Sequence, residues 1–216
     1  MKVFVIGATG GVGHRLMRAL IERGDDVRAL HRRPEQASDL RAAGAEPFHA
    51  DLAAMTEDDL ASMIAGTDAL VFAAGAGGVG AQLTSSIDGE GVSKSIAAAR
   101  AAGVRRFILV SVFPEAWRER PRDEGFEHYL AVKKQADVEL AASDLDWVIL
   151  RPAELTDRTG NATISISPAL IHTTVSRDNV AATLAELVHR PEVSRVILEV
   201  TDGPTRIREA IGALGV

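Results

Sequence analysis

The stretch from Lys2 to Gly13, KVFVIGATGGVG, constrains the fold of this chain more than any other. Val3 to Ile6 form an unbroken apolar run, the mark of a strand buried on both faces of a parallel sheet. The run meets Gly7, Gly10 and Gly13, which allow a turn that side chains forbid. From Val12 to Arg23 the spacing becomes helical, with Leu16, Ala19, Leu20 and Arg23 one turn apart. Strand, glycine turn and helix in that order aim free backbone N–H groups and the positive end of a helix dipole at whatever lies above the turn. A pyrophosphate suits that setting. The spacing G-x-x-G-x-x-G is a variant of the dinucleotide fingerprint, and its position between a strand and a helix argues against a merely flexible turn.

The rest of the chain repeats this alternation. Asp26–His31 reads as a second strand, followed by a helix over Glu35–Ala43 that Pro34 opens and Gly44 stops. Ala45–His49 is a short third strand, and Thr56 is a suitable N-cap for a helix over Glu57–Ile64. Ala69–Ala73 is a fourth strand and Asp88–Ala102 an alanine-rich helix closed by Gly103. Arg106–Val110, a helix over Glu127–Ala142 and Asp146–Leu150 complete the pattern, which stops at Arg151-Pro152. Beyond Pro152 it loosens: short strands over Thr163–Ile166 and His172–Val175, a helix over Arg177–His189 capped by Ser176 or Asp178, a strand over Arg195–Val200 and a helix over Pro204–Ala213. The expected fold is α/β, a Rossmann-type doubly wound parallel sheet in the order 3-2-1-4-5-6. At 216 residues it makes one domain, with a small lobe from about Arg151 to Val216.

Charge and composition narrow the partners. A net charge of −6 speaks against a nucleic-acid footprint. The chain has no cysteine, so disulfides and thiolate-bound metals are excluded, and its histidines do not cluster at ligand spacing. No stretch is long enough to span a membrane, and Met1–Ile6 is too short for a signal peptide, so a cytoplasmic location follows by default. The Asn161-Ala162-Thr163 sequon has meaning only in a secreted protein. No sequence signal bears on oligomeric state.

Ligands of open α/β sheets bind beyond the C-terminal ends of the strands, and two stretches without a core pattern, Gly75–Ser86 and Phe113–Phe126, follow such ends. The second holds Arg118, Arg120 and Arg122, read either as a solvated loop or as a grip for an acidic substrate. Tyr129, the only tyrosine, and Lys133 share one face of a predicted helix at i and i+4. A lysine cation beside a phenol lowers its pKa and makes it a usable acid or base. An exposed pair without a role has the same spacing. Ser111, at the end of the fifth strand, is either a substrate-facing hydroxyl or a turn cap.

Together these residues resemble a known family. Gly7-Ala8-Thr9-Gly10-Gly11-Val12-Gly13, Asp51-Leu52, Ala73-Ala74-Gly75, Ser111, Tyr129-x-x-x-Lys133 and Arg151-Pro152 resemble the short-chain dehydrogenase/reductase superfamily. The likeness is greatest to its atypical NAD(P)H-binding branch, with biliverdin-IXβ/flavin reductase-like proteins and nitrogen-regulator-like sensors. Asp88-x-x-Gly91 and Ser176-Arg177-Asp178-Asn179-Val180-Ala181 fit that branch as well. The resemblance implies that Gly7, Gly10 and Gly13 cradle a pyrophosphate, that Asp51 and Leu52 meet adenine, and that Ala73, Ala74 and Gly75 lie along the nicotinamide ribose. It implies that Lys133 bonds that ribose and tunes Tyr129, and that Ser111 and Tyr129 face the substrate. Thr9, Gly11 and Val12 of the same loop, with Arg151 and Pro152, complete the expected cofactor-binding set. The asparagine that fully catalytic members carry in the fourth-strand motif is replaced here by Ala73 or Ala74.

Cofactor choice is read at the end of the second strand, where NAD-preferring proteins place an acidic residue against the ribose 2′-hydroxyl. That position falls near His31, about eighteen residues beyond Gly13, and Arg32 and Arg33 follow. Guanidinium groups there favour a 2′-phosphate, Arg32 before Arg33, so NADP(H) is expected over NAD(H). The favoured reading is an NADPH-dependent oxidoreductase passing hydride to a small carbonyl or similar acceptor, with Tyr129 as proton donor and Ser111 orienting the oxygen. The alternatives are a non-catalytic NADP(H) sensor and a nucleotide-sugar epimerase or dehydratase, for whose substrate the segment after Arg151 is small.

Overall fold

The computed structural model describes residues 1–77, 80–114, 116 and 123–214. In chain order the elements are β1 Lys2–Ile6, α1 Gly11–Glu22, β2 Asp26–His31, α2 Gln36–Ala42, β3 Glu46–His49, α3 Glu57–Ile64, β4 Ala69–Phe72 and α4 Ala81–Thr84. A π-helical turn, Ser85–Glu90, leads into α5 Gly91–Ala102, then β5 Arg106–Val110, α6 Glu124–Ala141 and β6 Asp146–Pro152. After these come β7 Glu154–Thr156, β8 Thr163–Ser167, β9 Thr174–Ser176, α7 Arg177–Val188, β10 Val196–Asp202, β11 Thr205–Arg206 and α8 Ile207–Gly212.

The sheet has nine strands in the order β11-β8-β10-β6-β5-β4-β1-β2-β3. The six strands read as 3-2-1-4-5-6 are therefore present in that order, all parallel. The segment beyond Pro152 extends the sheet: β10 runs parallel to β6, then β8 and β11 add antiparallel pairings. β7 and β9 form a separate two-stranded sheet.

Both sheet faces are covered, which explains the continuous apolar strands. Val3 and Val5 point to one face, where they join Leu16, Met17 and Leu20 of α1 and Leu184 of α7. Phe4 and Ile6 point to the other, against Leu60 and Ile64 of α3, Val92 of α5 and Leu140 of α6. Arg106 of β5 is buried beneath the C-terminal end of α7 and donates to the carbonyls of Leu187 at 2.6 Å, Val193 at 2.8 Å and Arg190 at 3.1 Å. Burial pushes its guanidinium down to about 10, and the partial negative charge of a helix C-terminus compensates it.

Local structure departs from the sequence reading at five points. Helical structure begins at Ala81, inside the stretch read as loop, and passes through the π turn before α5. α6 starts at Glu124 because the Asp123 side chain accepts from the Phe126 N–H at 2.7 Å. β6 runs on to Pro152 because Pro152 pairs with Val200. β7 was not expected, its three residues being too few to show a period. Thr205 and Arg206 pair with β8, so α8 starts only at Ile207.

Candidate functional site

The glycine turn is built by close approach. Gly7 has φ +89°, and a Cβ there would lie 2.4 Å from the Ala74 backbone nitrogen. A Cβ on Gly13 would lie 2.1 Å from the Gly7 carbonyl oxygen, so α1 packs against the end of β1 only through glycine. Gly10 donates to the Gly7 carbonyl at 2.9 Å and precedes α1 with no side-chain cap. No acidic residue occupies the first turn. Thr9, Gly10 and Gly11 are exposed and Val12 and Gly13 buried, which leaves a backbone cradle open to solvent at a positive helix end. Ala73 and Ala74 are half-buried alongside it, Ala73 donating to the Ile6 carbonyl at 2.8 Å, and Gly75 is exposed. These features fit a bound pyrophosphate.

At the end of β2, His31 turns inward. It is buried, with Nδ1 2.9 Å from the Arg33 carbonyl and its ring 5.3 Å from that of His49. His49 Nε2 lies 3.1 Å from the Arg32 carbonyl, so the two imidazoles brace the turn that carries the arginines. Arg32 and Arg33 are exposed. Arg33 pairs with Glu35 at 3.5 Å, whereas the Arg32 guanidinium has no partner among the described residues. Beyond β3, Asp51 is exposed and accepts from the Ala53 N–H. Leu52 is buried against Gly91, and Lys94 holds this turn through the Leu52 carbonyl at 2.8 Å and the Met55 carbonyl.

The third group lies along α6, where Tyr129, Lys133 and Asp137 succeed one another at four-residue intervals on one face. Lys133 is buried and donates to the Val110 carbonyl at 2.8 Å. Its ion pair is with Asp88 of the π turn, 3.4 Å away and equally buried. The other Asp88 oxygen accepts from the Ala76 N–H at 2.9 Å, so the extra residue of the π turn brings a carboxylate under the β4 loop. Arg151 grips one Asp137 oxygen through Nε at 3.0 Å and Nη2 at 2.9 Å. Ser111 is buried beside Asp137, yet neither its hydroxyl nor the second Asp137 oxygen has a hydrogen bond of ordinary geometry. Pro152 is buried behind Arg151.

The electrostatics of this cluster reverse one expectation. Tyr129, half-buried with its ring 6.0 Å from that of Phe126, has its phenol pushed up rather than down. Burial is the largest cause, followed by the charges of Asp88 and Asp137. Lys133 does not lower it because its cation is paired with Asp88. Burial also raises the Asp137 carboxyl, against opposing pulls from Ser111, Arg151 and Lys133. Asp88 and Asp137 as charged partners of the pair were missed. Asp137 had a signal, since it continues the four-residue spacing of Tyr129 and Lys133; Asp88 had only the motif Asp88-x-x-Gly91, because the π turn that orients it has no period of its own.

Phe113 is buried and meets His172 edge-on at 5.1 Å, bringing the loop after β5 against the segment before β9. Arg118, Arg120, Arg122 and Gly78 lie outside the described residues. No group of histidines and carboxylates at metal-holding distance occurs among the described residues, and none of their helices is long and apolar enough to cross a membrane.

A parallel sheet with a glycine cradle at the head of its first crossover helix defines a dinucleotide-binding α/β protein. The chain belongs to the NAD(P)H-binding family, whose pattern matches residues 7–191. It is 38% identical over 216 residues, 99% of this chain and 100% of the other, to YhfK of Bacillus subtilis (strain 168), named as an uncharacterized sugar epimerase. Among solved structures it is similar to a Bacillus halodurans protein provisionally described as an NAD-dependent epimerase/dehydratase, with 35% identity, a TM-score of 0.89 and coverage of 99% of this chain and 100% of that one. It is also similar to the oxidoreductase ylbE of Lactococcus lactis, with 29% identity, a TM-score of 0.87 and coverage of 99% and 96%. Oxidoreductase-named and epimerase-named proteins therefore share this fold.

Proposed function

We propose that this protein is an NADPH-dependent reductase of a small carbonyl or similar acceptor, with Tyr129 as proton donor. The observation that carries the reading is the placement of Tyr129 and Lys133 on one face of α6, with Lys133 bonded to the end of β5 next to the buried Ser111. A protonated phenol can give its proton to an oxygen that gains negative charge, which is the need of carbonyl reduction.

The chain's own residues then have the following roles. Ser111, a buried hydroxyl beside Asp137 at the end of β5, orients the acceptor oxygen. Lys133 neutralises Asp88 and secures the end of β5 through the Val110 carbonyl. Gly7, Gly10, Gly11 and Gly13 with Thr9 and Val12 hold the pyrophosphate, Asp51 and Leu52 border the adenine, and Ala73, Ala74 and Gly75 border the nicotinamide ribose. Arg32, exposed and unpaired among the described residues, takes the 2′-phosphate, with Arg33 beside it. When bound, reduced nicotinamide supplies the hydride.

A second reading, a nucleotide sensor without turnover, draws on the alanines in the fourth-strand motif and on a lysine already paired with Asp88. The deciding experiment is NADPH consumption against carbonyl, quinone and flavin acceptors. Turnover of a carbonyl supports the reductase. Tight NADPH binding without consumption against any acceptor favours the sensor.

A further inference from the structure

Gly7, Gly10 and Gly13 each answer to a backbone that comes close, but Gly11 does not. A Cβ on Gly11 would meet no backbone; it would lie 2.9 Å from both Cδ and Nε of Arg177. The absent side chain at the first position of α1 therefore leaves room for an arginine of the neighbouring α7, far away in sequence. Arg177 is the first residue of α7, whose N-terminus Ser176 caps by accepting from the Asn179 N–H at 3.1 Å. A cation at that position opposes the α7 dipole, so helix stability does not account for it.

Among the described residues the Arg177 guanidinium is held by Asp157, at 3.1 Å, a carboxylate that is 74% exposed and is shared with Arg15 at 3.5 Å. The aspartate end of this pair is open to solvent, which screens the bond and leaves the carboxylate readily exchanged. Its neighbour Arg15 is tied more firmly, to Asp178 at 2.7 Å and to the Gly11 carbonyl at 2.8 Å.

We propose that Arg177 is a cofactor ligand: it leaves Asp157 and closes over the pyrophosphate seated at the head of α1, which makes the C-terminal segment part of the phosphate site. This rests on the NAD(P)H-binding reading and deepens it. A guanidinium suits the task because its planar N–H groups bond phosphate oxygens in pairs. Because NAD(H) and NADP(H) share the pyrophosphate, Arg177 contributes equally to both, unlike Arg32.

The test is calorimetric titration of NADPH and NADH into wild type, Arg177→Ala, Arg177→Gln and Asp157→Asn, with a thermal melt of each. Arg177→Ala should weaken both nucleotides by one common factor of roughly tenfold. Arg177→Gln, which shortens the side chain and removes the charge while keeping an N–H donor, should weaken both as well. Asp157→Asn should strengthen both, since it removes the competing carboxylate. Unchanged affinities in Arg177 variants that melt as wild type does, or a loss confined to NADPH, would overturn the proposal. A wild type that binds neither nucleotide would refute the cofactor reading itself, and the proposal with it.

Discussion

A phenol between buried carboxylates keeps its proton, and that single fact governs how Tyr129 behaves. Tyr129→Phe should lose turnover by about 10²–10⁴-fold with NADPH affinity nearly unchanged, because only proton donation is removed. Steady-state kinetics and a binding titration check this, and undiminished turnover would remove Tyr129 from the chemistry. Since the phenol is pushed above its ordinary value near 10, its ionisation should cause no fall in reductive turnover up to about pH 9. The linked stability has the same sign: the neutral phenol stabilises the native state below about pH 10, and that contribution is lost as pH rises further. Arg32→Ala should weaken NADPH roughly tenfold and leave NADH almost untouched, as expected for a partly exposed bond to the 2′-phosphate. Equal wild-type affinities for the two would show that neither Arg32 nor Arg33 reads that phosphate. Much of this site was legible residue by residue, since Tyr129 and Lys133 announce a shared face through their spacing. What spacing conceals is charge pairing, which is why the shift of Tyr129 was read with the wrong sign.

At the scale of elements, the glycine turn and the capped helices show what local sequence can specify. Gly13→Ala would place a Cβ 2.1 Å from the Gly7 carbonyl oxygen, forcing α1 away from β1. It should destabilise the protein by about 1–3 kcal/mol or more, read as a lowered urea midpoint, and weaken both nucleotides. Thr56 and Asp59 form a reciprocal capping box at the start of α3, and Thr56→Ala should cost about 1 kcal/mol with no effect on cofactor binding. β2, α3 and β5 have the ends read from sequence because their stop signals are local: a glycine, a cap, a change of period. The helical path from Ala81 through the π turn was hidden, because Gly75, Gly77 and Gly80 read as a loop and polar residues follow. Tertiary contacts decide it: His128 of α6 meets Ser85 at 2.9 Å, and Lys133 draws Asp88 inward.

Across the whole molecule, strand order was legible because alternating strands and helices behind a glycine fingerprint define the doubly wound arrangement, whose order β1 to β6 follow. The return of β10 beside β6, with β8 and β11 beyond, was not legible; those strands are short, and their partners lie far away in sequence. The C-terminal segment meets the N-terminal half across α1 and α7, a buried apolar contact bordered by ion pairs. Asp178 of α7 pairs with Arg15 of α1, Glu186 of α7 with Arg23 after α1, and His189 with Asp25 before β2. All these carboxylates are held below their ordinary values. The Gly160 N–H and then Arg15 lower Asp178. Burial opposes ionisation of Asp25 and Glu186, but hydrogen bonds from the Met1 amine and His189, and from Arg190 and Arg23, outweigh it. A carboxylate with a depressed native pKa stabilises the fold above its unfolded value near 4 and loses that contribution as pH falls through the native value. Acid should therefore loosen the α1–α7 contact before the rest of the sheet. Urea midpoints should decline steeply below about pH 4, and hydrogen exchange should show amides of α7 losing protection before those of β1 and β4. Glu186→Gln should be less stable than wild type at neutral pH and show a shallower acid decline, because the group that titrates is gone while Arg23 and Arg190 lose their partner. If α7 stayed protected while β1 and β4 opened, or if the variant kept the wild-type slope, the acid-sensitive joint would have to lie elsewhere.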